Sequence, residues 1–190
     1  MISNKLRYTT VLIGALLFVP MAYNSCSYYN PATGKTSTLG NPKGIEKTAF
    51  AFSKYQQVSA LNVCLNEMIL TTVGGADLRV PFVPPKQIAV PLAGVELETL
   101  LVDQGQYTKI SLELADACGG GASMQMTNGN GNFQTAQPIS LKFSGNEFLG
   151  ADQRKTVFDM QALAANLSQV SSNAMVASKA MLATGDYHSL

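Results

Sequence analysis

Tryptophan is absent from the 190 residues, histidine occurs once, and only 13% of positions are charged, against about a quarter in an average soluble protein. Each scarcity excludes something. The one histidine, His188, lies near the C-terminal end, where a frayed tail is expected, so Ser-His-Asp, Cys-His and His-based metal sites lack their central member. Without tryptophan, a carbohydrate platform built on ring stacking loses its usual centre. Charge is nearly balanced, at 13 basic against 12 acidic residues. Removing Lys5 and Arg7 with a cleaved leader leaves 11 basic residues and a net charge of −1, which gives electrostatic capture of nucleic acid no support. After the first 26 residues, no stretch approaches the roughly 18 apolar residues of a membrane-spanning helix. No cofactor motif and no EF-hand spacing is present.

What is present begins with a leader. Lys5 and Arg7 precede an apolar run from Val11 to Ala22, followed by Tyr23-Asn24-Ser25-Cys26. This is the layout of a secretory signal peptide, and about twelve apolar residues are too few to cross a bilayer. Neither Ala22 paired with Pro20 nor Ser25 paired with Tyr23 suits ordinary cleavage, whereas a lipoprotein-type cut before Cys26 does. Tyr23 departs from the usual leucine of that motif. Cys26 is therefore read as a lipidation site, the other reading being a free or disulfide-paired thiol. Three cysteines in an oxidising compartment leave one over unless acylation consumes it. Cys64 and Cys118 then either form a disulfide or remain two buried thiols. A bridge between them would close a loop of roughly 55 residues and stabilise the fold by about 4 kcal/mol in the chain-entropy model.

Residues 1–25 are thus expected to be a signal peptide and 26–47 a lipid-attached tether rich in Asn, Pro, Gly, Thr and Ser. A β domain is expected over 48–165 and a C-terminal helix or tail over 166–190. Within the domain, apolar residues recur every second position at Phe50 and Phe52, Leu61 to Leu65, Ile110 to Leu114 and Ile139 to Phe143, the period of strands with one buried face. Met68 and Leu70 continue the second run out of phase, which predicts a bulge near Asn66 or Glu67. Turn chemistry stands at Gly74-Gly75, Asp103 to Gly105, Asn128 to Gly131 and Gly145-Asn146. Prolines 81, 84, 85 and 91 restrict residues 79–92 to an edge strand or loop. Near the C-terminus, Leu163, Leu167, Val170, Ala174, Ala177 and Met181 form a helical stripe, which predicts a helix over about 173–183 with Ser171 or Ser172 as cap and Gly185 as stop. That segment either packs on the sheet or forms a loose tail. The expected fold is an all-β, antiparallel Greek-key sandwich with a short C-terminal helix.

The stretches VSALNVCLNEMILTT (Val58 to Thr72) and VELETLLVDQGQYTKISLEL (Val95 to Leu114), with a weaker match over Ile139 to Gln161, resemble a bacterial domain-of-unknown-function family of envelope lipoproteins. The resemblance implies a prealbumin-like or immunoglobulin-like β-sandwich and places Asp159 at the family's acidic position. It implies no activity. The first strand departs from the family where Ser53-Lys54-Tyr55 replaces an Asp-x-Pro turn, and Gly119 to Gly121 and the NGNGN segment look like insertions. Independently of the family, Gly105 suits a tight turn, and Tyr107 can bury its ring while its hydroxyl reaches a backbone group close by.

No catalytic residue and no metal site is assigned. Asp103, Asp116, Asp152 and Asp159 sit near turns or strand ends, where Asp commonly serves the local backbone. The glycine-rich run around Cys118 has no following Lys-Ser or Lys-Thr and reads as a loop rather than a phosphate cradle. Asn128 to Gly131 reads first as a turn, with sugar or metal binding through its amides as the alternative. Tyr28, Tyr29, Tyr55 and Phe133 are candidates for a binding face. The favoured expectation is a non-enzymatic lipoprotein of the cell envelope, on the outer membrane, held to the membrane by its lipid and acting as a structural or binding module for a protein or glycan partner. The alternatives are a loop-site hydrolase or metal-assisted enzyme, favoured by clustering of Asp103, Asp116 and Asp152, and a subunit of a surface assembly, favoured by a long unprotected edge strand.

Overall fold

The computed structural model describes residues 27–30, 35–38, 45–149 and 155–190, which belong to two units divided between Pro42 and Lys43. In the first unit, β1 (Ser27–Asn30) pairs antiparallel with β2 (Lys35–Thr38). The expected tether therefore contains a two-stranded ladder, consistent with the strand preference of Tyr28, Tyr29, Thr36 and Thr38. Cys26 and the leader lie outside the described residues.

The second unit is mostly β, a strongly curled mixed sheet with two short helices. Its strands are β3 (Ile45–Phe52), β4 (Ala60–Thr72), β5 (Asp77–Val90), β6 (Val95–Asp103), β7 (Gly105–Leu114), β8 (Met124–Asn128), β9 (Gly131–Thr135), β10 (Ile139–Leu149), β11 (Lys155–Phe158) and β12 (Thr184–Ser189). Helices α1 (Gln161–Leu167) and α2 (Asn173–Met181) separate the last two strands. Strand order is β6-β3-β11-β12-β10-β7-β4-β8-β9, with β5 on the other side of β4. The expectation of a purely antiparallel sheet is corrected, because β3 pairs β11 and β10 pairs β12 in parallel. The helix pair carries the chain back for the second of these pairings, as a parallel crossover requires.

β4 organises the sheet. One of its edges carries β5, and the other carries β8 over Ala60 to Val63 and β7 over Leu65 to Thr72. The expected bulge is present: register shifts between Leu65 and Glu67 toward both β5 and β7. It leaves Asn66 exposed and turns Met68 and Leu70 into the core with Leu61, Val63 and Leu65. The proline-bearing β5 is an edge strand, as expected.

Phe158 of β11 is fully buried and touches Phe50 and Phe52 of β3 and Phe143 of β10, with ring centroids 5.9, 6.0 and 4.7 Å apart. Burial of one such ring contributes about 2–3 kcal/mol. Leu163, Leu167, Val170, Val176 and Ala180 join the same core, so the helix pair is integral to it. The predicted helix is α2, with Ser172 at its N-cap in extended conformation but making no side-chain capping bond.

The last residues correct the expected tail. β12 lies inside the sheet: Thr184 to Asp186 pair with β10, and Tyr187 to Ser189 pair with β11. Gly185 is thus a strand residue rather than a helix stop. Its backbone packs so closely that an added Cβ would sit 2.6 Å from the Asp159 carbonyl oxygen and 2.8 Å from the Phe143 ring. Gly145-Asn146 is likewise no turn but part of a bulge within β10, and the Tyr187 ring lies where a Cβ on Gly145 would be. Both glycines serve close approach rather than chain reversal.

Candidate functional site

The two cysteines meet. Cys64 and Cys118 form a disulfide with Cα atoms 5.8 Å apart, at the point on β4 where β7 gives way to β8. The Ala115 N–H donates to the Cys64 carbonyl, and the Cys64 N–H donates to the Ser123 carbonyl. The bridge therefore ties the glycine-rich loop, residues 115–123, to the strand that its two ends already grip.

Tyr107 does what its position predicts. It is buried, and its hydroxyl donates to the Asp103 carbonyl oxygen at 2.7 Å. Burial raises its phenol pKa, with the charge of Asp103 adding to the effect. Gly105 follows the bend at Gln104 and opens β7, buried, paired with Leu149 and not among the residues of positive φ. The corner from β6 to β7 is secured by the tyrosine rather than by glycine freedom. Burial likewise pushes the Tyr187 phenol up to about 12, with its hydroxyl donating to the Tyr107 carbonyl.

Asp103 and Asp116 stand apart. Asp103 precedes β7 and Asp116 follows it, so the strand's length, roughly 30 Å at about 3.3 Å per residue, separates them. Asp152 lies outside the described residues. The Asp159 carboxylate accepts the Gln161 N–H at 2.9 Å and the Ser53 hydroxyl oxygen accepts the Met160 N–H at 3.0 Å, so Asp159 helps hold the start of α1. Among the described residues, no group of three His, Cys, Asp or Glu is placed to hold a metal, and no helix is long and apolar enough to cross a membrane. His188, expected in a frayed tail, is an exposed residue of β12 paired with Val157.

The Asn128 to Gly131 turn joins β8 to β9, and the Asn128 amide faces inward. Asn128 is 8% exposed. Its side-chain oxygen accepts the Asn130 N–H at 2.8 Å, and its nitrogen donates to the Leu167 and Val170 carbonyls, each at 2.9 Å. Asn130 donates to the same Val170 carbonyl at 3.0 Å. These groups satisfy the orphan carbonyls after α1 and explain how a seven-residue helix is held, its other end being fixed by Asp159 and Ser53. The amide pair is a bolt, and the alternative of ligand binding by Asn128 is withdrawn.

Two depressions adjoin this turn. One, of about 440 Å³, lies where the β3–β4 and β5–β6 loops meet it and is walled by Tyr55, Val58 and Leu92 together with Gln57. Gln57 has φ of +74°, an uncommon conformation for a non-glycine residue and one concentrated at functional positions. Tyr55 itself is buried, its hydroxyl donating to the Val90 carbonyl; it is a wall of the core rather than an exposed platform. The second depression, of about 370 Å³, lies over β4, β8 and β9. Its floor follows from strand register: Ala60, Thr127 and Asn132 form one cross-strand row, and Asn62, Gln125 and Gln134 the next. The second depression is thus an amide strip over β4, β8 and β9, and no residue lining either depression is charged. Phe133 borders the second depression, half-buried. Tyr28 and Tyr29 lie in β1.

The open edges carry features that oppose strand addition. β5 has Pro81, Pro84 and Pro85; Lys86 reaches the Leu97 carbonyl of β6 at 3.4 Å; and the Gln134 N–H of β9 donates to the Asn173 side chain at 3.0 Å. Hydrophobic patterning could not have revealed the amide strip, because its residues occupy the polar positions of ordinary strands. Only the register that aligns them does so. Comparison with known proteins finds no matching family model, no matching curated protein and no matching solved structure.

Proposed function

We propose that this chain is an exported bacterial lipoprotein of the cell envelope, anchored to the outer membrane through Cys26, whose β-rich unit is a non-enzymatic binding module. The observation that carries the reading is the Cys64–Cys118 bridge: it suits an oxidising compartment and leaves Cys26, at the end of a signal-like leader, as the odd cysteine available for acylation. Several acyl chains on one cysteine give firm attachment where one is marginal.

The resemblance to the envelope lipoprotein family and the expectation of a Greek-key sandwich, immunoglobulin-like or prealbumin-like, belong to the same proposal. β12 changes partners midway, as strands do at the corners of packed sheets. The Tyr107 hydroxyl bonds back to backbone just upstream, a device known in immunoglobulin-like sandwiches. The contact surface is the uncharged strip over β4, β8 and β9, where concavity and amide side chains coincide. Separation of Asp103 from Asp116 favours binding over a carboxylate-built hydrolase, and the blocked edges favour it over strand-mediated assembly.

The test is expression of the full chain and its Cys26→Ala variant in a Gram-negative host fed labelled palmitate. The wild type is expected in the membrane fraction carrying label, and the variant is expected unlabelled and released. Unlabelled wild-type protein in the cytosol overturns the proposal.

A further inference from the structure

We infer that the strip over β4, β8 and β9 binds an uncharged oligosaccharide, recognised by side-chain amides; this rests on the binding-module reading above and names its ligand class. The floor residues Asn62, Gln125, Gln134 and Asn132 stand on adjacent strands in matched register. Neighbouring strands are about 4.8 Å apart, so the amides form a ladder on the scale of a sugar ring. Internal bonds engage only part of them. The Gln125 amide nitrogen approaches the Gln134 oxygen at 3.4 Å, and the Thr127 hydroxyl donates to the Asn132 oxygen at 2.6 Å. Among the described residues, this leaves the Asn62 amide, the Gln125 oxygen and the nitrogens of Asn132 and Gln134 without side-chain partners. Each amide offers both donors and an acceptor, the complement of hydroxyls that also do both.

Other ligand classes fit less well. An anion or cation would find no counter-charge among the lining residues, and an apolar ligand would strip water from amides without replacing it. A peptide adding to the sheet needs a free edge, yet the Gln134 N–H of β9 is already taken by Asn173, and the face presents side chains rather than backbone. The two cross-strand rows, Ala60 with Thr127 and Asn132 and Asn62 with Gln125 and Gln134, lie roughly 7 Å apart along the strands, so the site suits a chain of sugars rather than one. Recognition of this kind does not need tryptophan.

The test is nitrogen-15 NMR of the full chain, purified in a zwitterionic detergent and titrated separately with chitotriose, cellotriose and maltotriose. An oligogalacturonate and an uncharged Ser/Gly pentapeptide are the comparison probes. At least one neutral trisaccharide is expected to shift the side-chain amide signals of Asn62, Gln125 and Gln134. The joint Asn62→Ala and Gln125→Ala variant, its backbone spectrum otherwise unchanged, is expected to bind roughly ten-fold more weakly, while Asn146→Ala binds as the wild type does. Trisaccharides that leave these amides unmoved, or a response to the pentapeptide or the oligogalacturonate alone, overturn the inference. A peptide response would remove the glycan but leave a binding module standing, whereas failure of Cys26 acylation would remove the proposed location and leave any saccharide shifts intact.

Discussion

Replacing Asn128 by Asp removes one nitrogen's worth of hydrogen-bond donors and nothing else of size. In the wild type that nitrogen donates to the Leu167 and Val170 carbonyls, while the side-chain oxygen accepts the Asn130 N–H. A carboxylate keeps the acceptor role but aims negative charge at two carbonyl oxygens, in a site only 8% exposed. Asn128→Ala loses all three bonds, leaving the two carbonyls short of a donor and the Asn130 N–H short of an acceptor, at a cost of about 2–3 kcal/mol. Asn128→Asp adds an uncompensated buried charge and is expected to cost about 4–5 kcal/mol at neutral pH, a large share of a typical domain's stability. The order should change in acid. Desolvation and the facing carbonyls raise the carboxyl's folded pKa above its unfolded value of about 3.9. The stabilisation from the protonated form is therefore complete below about 3.9 and is lost as pH rises through the folded value. Urea unfolding of the two variants at neutral pH and near pH 3 measures this directly. An Asp variant at least as stable as the Ala variant at neutral pH, or a difference between them that ignores pH, refutes the bolt.

Replacement of both Cys64 and Cys118 by Ser should lower stability by about 4 kcal/mol, given the separation of 54 residues; a thermal midpoint unchanged from wild type contradicts this. Gly185→Ala should cost about 3 kcal/mol through collision with Asp159 and Phe143, while Gly129→Ala, with open space around it, should change little; equal urea midpoints for the two would count against the close packing. The raised phenols predict alkaline sensitivity. Because burial pushes the folded Tyr187 phenol up to about 12, above the roughly 10 of an unfolded chain, its contribution is whole below about pH 10 and disappears as pH climbs through the folded value. Circular dichroism against pH should show stability falling above 10, and the Tyr187→Phe variant should show a shallower fall; identical slopes refute this.

The alternation of Leu61 to Leu65, its phase slip before Met68, and the prolines of β5 announced the central strand, its bulge and an edge, because each acts through local period or a missing donor. Tyr107 was legible for the same reason, its partner being four residues away. The elements that escaped depend on distant neighbours. β12 is short, and its buried positions Gly185 and Tyr187 carry little hydrophobic signal, so glycine after a helix read as an ending. Gly145 looked like turn chemistry because nothing nearby in the chain reveals that the Tyr187 ring rests on it. α1 merged with α2 into one stripe, since what stops the first helix is the Asn128 side chain from another part of the sheet. The amide strip was invisible for a related reason: Asn62, Gln125 and Gln134 are unremarkable strand residues until register sets them side by side.

The central claim, export with one cysteine acylated and the other two bonded, is tested most directly by the intact mass of membrane-extracted protein, alkylated before and after reduction. The account predicts a chain beginning at an acylated Cys26 that takes up alkyl groups only after reduction, at Cys64 and Cys118. A full-length chain with all three cysteines alkylated without reduction would contradict it.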